Sequence, residues 1–466
     1  MNVQYPSALD LIIQDGTVVL PWATTRTDLG IRGGKIVEIG TLAGVPTKER
    51  LIATHLHVLP GVIDSQVHFR EPGLEHKEDL GSGTAAACLG GVTSVLEMPN
   101  TNPPTTTIER LTDKIKRSRG RVWTDIGFFI GGCAENAEAI SSLEKNLGCA
   151  GTKIFMGSST GSLLAASDEI LARILANGNR RVAIHAEDEC RLLSRKASLN
   201  LADSGVAMHP NWRDPESAFI ATQRILQIAA KTRRRIHVLH ISTAKEMAVL
   251  AQHRDIATVE VTPQHLTLSA PGCYEVMGTR AQMNPPIRES LHQEALWKAV
   301  NLGLVDAIGS DHAPHSLTEK AQPYPQSPSG MPGVQTMLPI MLTHANNGRL
   351  SLERVVDLVS SGPARVYRIA NKGRIALGMD ADLTIVDLKR RVILEDEMMA
   401  TKVKWTPFAH MEVTGWPVAT VLRGHLAMKE GELLGPPRGE ILDFDGCIGT
   451  IKEDLCEESA SSYRRV

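Results

Sequence analysis

Apolar and polar positions follow two rhythms along this chain, and the change between them marks its organisation. Residues 8–58 carry period-two runs separated by turn residues. The first is Leu11-Ile12-Ile13-Gln14-Asp15-Gly16-Thr17-Val18-Val19, with Asp15-Gly16 as a hairpin signal, and residues 28–40 repeat the style. Similar material returns at 381–387 and 418–424. Neither end has enough strands to close a core alone. The two are expected to pair into one β-sandwich domain made of residues 1–58 and 373–445, with 446–466 as a C-terminal tail. Between them the pattern becomes strand, then helix. Apolar, β-rich runs recur at 61–69, 92–98, 124–130, 152–156, 181–186, 236–241, 258–262 and 305–309. Strands alternating with helices imply a parallel sheet, and eight such units close into a (β/α)8 TIM-like barrel, here over 59–372. The predicted class is α/β. Residues 316–333, rich in Pro, Ser and Gly, are expected to loop over the barrel mouth, and a helix over 352–367 leads back to the β domain.

Composition narrows the function classes. A chain of 466 residues with 42% hydrophobic and 22% charged positions is ordinary globular material, long enough for a large barrel and an appendage. A formal net charge of -2 provides no general attraction to nucleic acid or to an anionic membrane. The basic run Lys231-Thr232-Arg233-Arg234-Arg235 reads as a solvated helix end. No apolar run approaches the roughly 18 residues that span a bilayer. Seven scattered cysteines with no CxxC read as reduced thiols, and the first residues show no basic start leading into an apolar core. The expectation is a cytoplasmic protein acting on a small molecule.

The chemistry gathers at the strand ends. In the first barrel run, alternation puts Asp64, Gln66 and His68 on one face, and Arg70 follows as the chain leaves the sheet. Later runs end on Asn100, Lys153, His185, His240 and Asp311. In a TIM barrel the C-terminal strand ends carry the active site. A lysine inside an apolar strand is rare unless it is paired, and imidazoles with a carboxylate suit zinc or a similar divalent ion. His265 and His312 read as supporting or structural residues. His55 and His57 form an HxH pair, but on the entry side of the barrel.

These segments resemble the amidohydrolase superfamily, and within it the dihydroorotases. The resemblance rests on Pro60 to Gly73, Glu97-Met98-Pro99-Asn100-Thr101, Gly151 to Gly161, Met283-Asn284-Pro285-Pro286, Gly309 to His315, Gly330-Met331-Pro332-Gly333 and Trp405-Thr406-Pro407-Phe408. It implies one or two Zn2+ ions bridged by a carboxylated Lys153, with His185 and His240 on one ion and the strand-one pair with Asp311 on the other. It also implies that Arg70, Asn100 and His315 bind a substrate carboxylate, that Asn284 and the Pro332-Gly333 backbone hold the ring, and that the chain forms a homodimer. The implied reaction is reversible hydrolysis of dihydroorotate to N-carbamoyl-L-aspartate, with Asp311 moving the proton as catalytic residue. The chain departs from the family's Asp-x-His-x-His at Gln66, whose amide oxygen is a weaker zinc ligand than imidazole. Two alternatives stay open: a catalytically impaired subunit with a binding or assembly role, and a hydantoinase or allantoinase.

Overall fold

The computed structural model describes residues 8–159, 163–201 and 205–445. The tail expected over 446–466, with Cys447 and Cys456, lies outside the described residues. The chain begins with five strands of a small sheet: β1 (Leu9–Val19), β2 (Thr24–Arg32), β3 (Lys35–Gly40), β4 (Thr47–Ile52) and β5 (His57–Pro60). Gly61 then passes it into the barrel. A Cβ there would sit 2.3 Å from Thr93 Oγ1 and 2.8 Å from Asp382 Cβ, so only glycine fits the junction.

The barrel strands are β6 (Val62–Val67), β7 (Val92–Glu97), β8 (Asp125–Gly131), β9 (Cys149–Phe155), β10 (Val182–His185), β11 (Ile236–Val238), β12 (Ala257–Val261) and β13 (Ala307–Ile308). All eight are parallel and pair in chain order. The ring closes where Val67 bridges His312: His68 N donates to His312 O at 2.7 Å, and Ser310 N donates to Asp64 Oδ1 at 3.0 Å. Val62, Val95, Phe128, Ile154, Ile184 and Val238 pack with Leu111, Ile115, Leu171, Ile174 and Ile225 of the surrounding helices in one continuous core. Each such buried side chain contributes about 1.5–3 kcal/mol. The helices start on side-chain caps. Thr107, Ser167, Asp188, Asp214 and Thr243 each accept from the N–H three residues on, about 1 kcal/mol apiece.

After the barrel come β14 (Leu383–Ile393), β15 (Glu412–Leu422), β16 (His425–Lys429) and β17 (Glu432–Leu433). β14 pairs antiparallel with β5, so strands from both ends share one nine-stranded sheet. That sheet folds over itself, because Leu11, Leu29 and Ile31 share a core with Leu383, Ile385 and Val421. Asp15-Gly16 does not turn the chain. β1 runs through it with a register shift against β2, and Asp15 sits at φ 64. The pair is a bulge because Asp15 N donates to Asp28 Oδ1 at 2.8 Å while its carboxylate takes Arg26 and Thr54, which fixes one extra residue inside the strand. In this part of the chain a two-residue hairpin falls instead at Gly33-Gly34, between β2 and β3.

Residues 316–333 do reach the barrel mouth. Lys320 is buried and donates to the carbonyls of Gln282, Pro328 and Gly330 at 2.9–3.0 Å, which pins the loop there. The 352–367 helix is interrupted by a π turn, Asp357–Ser361. Among the described residues five cysteines are free thiols, and no helix is long and apolar enough to cross a membrane.

Candidate active site

Gln66, His68, Arg70, Asn100, Lys153, His185, His240, Asn284 and Asp311 line one cavity at the C-terminal ends of the barrel strands, with Phe155, Ser159, Ala313, Ser329 and Gly330. Its free volume is about 20 Å³, room for one ion or water. Ser159, Asn284 and Ser329 also line an adjoining cleft of about 370 Å³, large enough for a small cyclic molecule. Three of the lining residues hold left-handed backbone: Arg70 at φ 65, His240 at φ 38 and Asp311 at φ 46. Such conformations persist where surrounding contacts enforce them, and they concentrate at functional sites.

One half of the cavity is built on β9, β10 and the chain after β11. His185 Nδ1 lies 3.0 Å from His240 Nε2, close to the separation of two nitrogens that each sit about 2.0–2.1 Å from one ion. Burial, outweighing other effects, lowers both imidazoles below their ordinary values, so each offers a lone pair at neutral pH. His185 Nε2 meets Glu187 Oε2 at 2.9 Å, and Arg213 Nη2 donates to the same oxygen at 2.6 Å. Burial alone would raise Glu187; Arg213 and His185 overcome it and hold the carboxyl well below the usual range. This pair fixes the ring so that Nδ1 faces the cavity, the arrangement common behind metal-bound imidazoles. Lys153 is buried, its Nζ has no hydrogen-bond partner, and burial pulls it down to about 7. Among the described residues no three His, Cys, Asp or Glu side chains are spaced to hold a metal ion. Lys153 Nζ lines the same cavity without a partner, so an ion held by His185 and His240 would find there a third group that fits the donor set.

The other half is already hydrogen-bonded. Gln66 Nε2 donates to Asp311 Oδ1 at 2.9 Å, and His68 Nε2 lies 3.1 Å from the same oxygen. His68 Nδ1 meets Asn100 Oδ1 at 2.7 Å. Gln66 Oε1 is buried without a partner. Asp64, on the same face of β6, sits deeper and accepts from Gln66 N and Ser310 N. Beside this half, Arg70 is buried, donates from Nε to Pro314 O at 3.2 Å, and faces His315 Nε2 through Nη2 at 3.2 Å. Its Nη1 has no partner.

His315 thus stands behind Arg70 and is held on its far side by Lys77 Nζ at 3.1 Å. Pro332 and Gly333 line a separate small cavity with His312, because Gly333 N donates to His312 Nδ1 at 3.1 Å. His265 is tied to Thr262 and the Pro285 carbonyl. His57 pairs within the small sheet and lies away from the cavity. Sequence reasoning missed Glu187 and Arg213. Glu187 had a signal, since it stands two residues after His185; Arg213 had none. It also missed His209, buried between Met283 O and Asn284 Oδ1 at 3.0 Å from each.

Residues 57–427 match the model of the amidohydrolase family. The chain belongs to the amidohydrolase family. Curated relatives of this amidohydrolase that are named dihydroorotase match over most of its length. That of Halobacterium salinarum is 35% identical over 418 residues, 89% of this chain and 94% of the relative. An allantoinase of Deinococcus radiodurans is 33% identical, covering 93% of this chain and 99% of its own. Among solved structures, the L-hydantoinase (dihydropyrimidinase) from Arthrobacter aurescens superposes with a TM-score of 0.89 at 29% identity, covering 93% of this amidohydrolase and 99% of that chain.

Proposed function

We propose that this amidohydrolase is a dihydroorotase, interconverting dihydroorotate and N-carbamoyl-L-aspartate. Arg70 is the observation that carries the reading. A guanidinium buried in the same cavity as Lys153, His185 and His240, with Nη1 unpartnered, calls for an anion, and a carboxylate matches its planar fork. Hydantoin, allantoin and dihydrouracil rings carry no carboxylate.

Lys153, His185 and His240 would hold a divalent ion such as zinc, and His68, Asp311 and Gln66 would face it or a second ion. Bound there, such an ion supplies Lewis acidity, polarising the ring carbonyl and lowering the pKa of water to about 7. The chain's own residues do the rest. With its pKa pulled down to about 7, Lys153 holds a large share of neutral amine at neutral pH. That form adds to CO2 with loss of a proton, turning a poor ligand into an anionic one. Asp311 is oriented by Gln66 Nε2 and His68 Nε2, both on Oδ1. It takes the proton released as water attacks the ring carbonyl and delivers it to the leaving ring nitrogen. Arg70 and Asn100 hold the substrate carboxylate, His315 positions Arg70, and Asn284 meets the ring amide. The pinned 316–333 loop limits water at the mouth.

Gln66 favours a second reading, an impaired site. Its amide nitrogen is engaged by Asp311 and only the amide oxygen is free, so this half offers a metal one imidazole rather than two. The deciding experiment compares zinc-loaded protein on dihydroorotate, dihydrouracil and allantoin. Dihydroorotate is expected to lead in kcat/KM by at least ~100-fold, since a site built for a charged group rejects substrates lacking it. A preference for either other substrate overturns the reading, and no turnover of any favours the impaired subunit.

A further inference from the structure

A second cavity, of about 210 Å³, lies at the opposite end of the barrel strands. Ala150 of β9 and Arg181, just before β10, both line it. Lys153 and His185 stand three and four residues further along those strands, so roughly 10–13 Å separates the two sites. Six cations line the cavity: Lys145, Arg180, Arg181, Arg235, Arg365 and Arg368. The lining carboxylates are Glu144 and Asp445, in a chain whose formal net charge is -2.

Two carboxylates cannot balance six cations, and one of the two is committed elsewhere. Glu144 is already engaged by Arg234, by Thr152 Oγ1 at 3.0 Å, and by the backbone N–H groups of Asn179 and Arg180 at 3.0 and 3.1 Å. Arg181 donates to the Ile236 carbonyl at 2.9 Å, and among the described residues no carboxylate pairs with it; burial, then the charge of Arg235, pull it down to about 10. Arg365 reaches Asp357 only at 3.5 Å. Tyr367 also lines the cavity, and its buried hydroxyl has no partner. Excess positive charge thus lines the cavity beside an unused polar group, with Arg180 and Arg181 half-buried and Lys145, Arg235, Arg365 and Arg368 exposed. Guanidinium forks match tetrahedral oxyanions in pairs of N–H···O bonds. At ~30 Å³ per water the cavity equals about seven waters, enough for one or two phosphoryl groups but not for a folded peptide.

We propose that this cavity binds a small diphosphate-bearing anion, either free diphosphate or the diphosphate end of a nucleotide, at the end of the barrel away from the active site. The assignment stands apart from the reaction the chain catalyses. Calorimetric titration of the zinc-loaded full chain with inorganic diphosphate, with ADP and with succinate tests it. The comparison protein carries Arg235→Ala and Arg365→Ala, two exposed side chains; metal chelation at the active site would survive both changes and so subtracts. Expected are saturable binding of diphosphate or ADP at one per chain, weakening as salt rises. The double variant should lose at least ~10-fold in affinity, with succinate at least ~10-fold weaker on the parent. Tighter ADP than diphosphate identifies the nucleotide source, and equal affinities identify diphosphate alone. No saturable binding, equal binding of succinate, or unchanged affinity in the double variant overturns the proposal. Should the double variant fail to fold, Arg368→Gln carries the same comparison. Binding that appears only in a chain ending at Asp445 would assign the cavity to the chain's own acidic residues within 453–458, and would overturn the small-ligand assignment.

Discussion

Replacing Arg70 with methionine separates carboxylate recognition from the rest of the site. The stem is retained and the fork removed. In the parent, Nη1 has no partner and Nη2 faces His315 Nε2 at 3.2 Å, so one new charge-assisted bond to substrate is the minimum expected gain. Such a bond is worth about 1.5–3 kcal/mol, which corresponds to about 10–150-fold in kcat/KM. Losing the Nε bond to Pro314 O leaves that carbonyl unpaired, at about 1–3 kcal/mol, while the burial penalty on the guanidinium is relieved. The two act in opposite directions, so the thermal midpoint should move little. Steady-state rates on dihydroorotate and dihydrouracil, for parent and Arg70→Met, give the answer. Dihydroorotate should fall by the stated factor, dihydrouracil by less than about threefold, and discrimination should collapse. Arg70→Lys should not restore it, because an ammonium cannot supply the fork. An equal loss on both substrates would make Arg70 a structural residue; no loss on either would place the carboxylate elsewhere.

Other substitutions probe the remaining parts. Gln66→His should raise metal content, measured on protein purified without chelators, from about one ion per chain towards two, and should raise turnover with it; two ions in the parent would refute the weakness assigned to Gln66. Glu187→Gln should weaken zinc binding by about 10–100-fold in a competition titration, because His185 loses the partner that fixes its ring; unchanged affinity would refute that role. Asp311→Asn should lower kcat by about 10²–10⁴-fold, and full turnover would remove Asp311 from the proton path. Glu246 is buried, with burial pushing its carboxyl up to about 7 against hydrogen bonds from Thr243 and Thr222. The folded state therefore keeps a proton that the unfolded chain releases near its ordinary value of 4.5, so this group erodes stability as pH rises from 4.5 to 7. Glu246→Gln should gain on the parent across that window by about 1–3 kcal/mol and hold the gain above it; parallel pH profiles would refute the shift.

The barrel was legible because burial on both sides of each strand writes a continuous apolar run, and all eight runs became strands within a few residues of their expected ends. Lys153 stood out for the same reason, since a charge that interrupts such a run must be aimed at something, and Arg70 stood out by its place just past the end of the first run. Local pattern could not separate a bulge from a hairpin at Asp15-Gly16, because both use a left-handed residue in the same dipeptide; the distant Asp28 and Arg26 decide it. Nor could it reveal Arg213 behind Glu187, or turn Gly333 towards His312 rather than the cavity, as those contacts join segments far apart in sequence. The bond between Gln66 and Asp311 was hidden in the same way, although both residues were expected at the site.

The ring's seam has a consequence for synthesis. Asp311 meets Gln66 and His68 only once the last barrel strand has docked against the first, across 245 residues of chain. A polypeptide emerging from the ribosome carries Lys153, His185 and His240 well before Asp311 exists. Under the proposed mechanism, the residues that would hold a cation are made before the one that would carry the proton, so the partly made chain would lack a complete site.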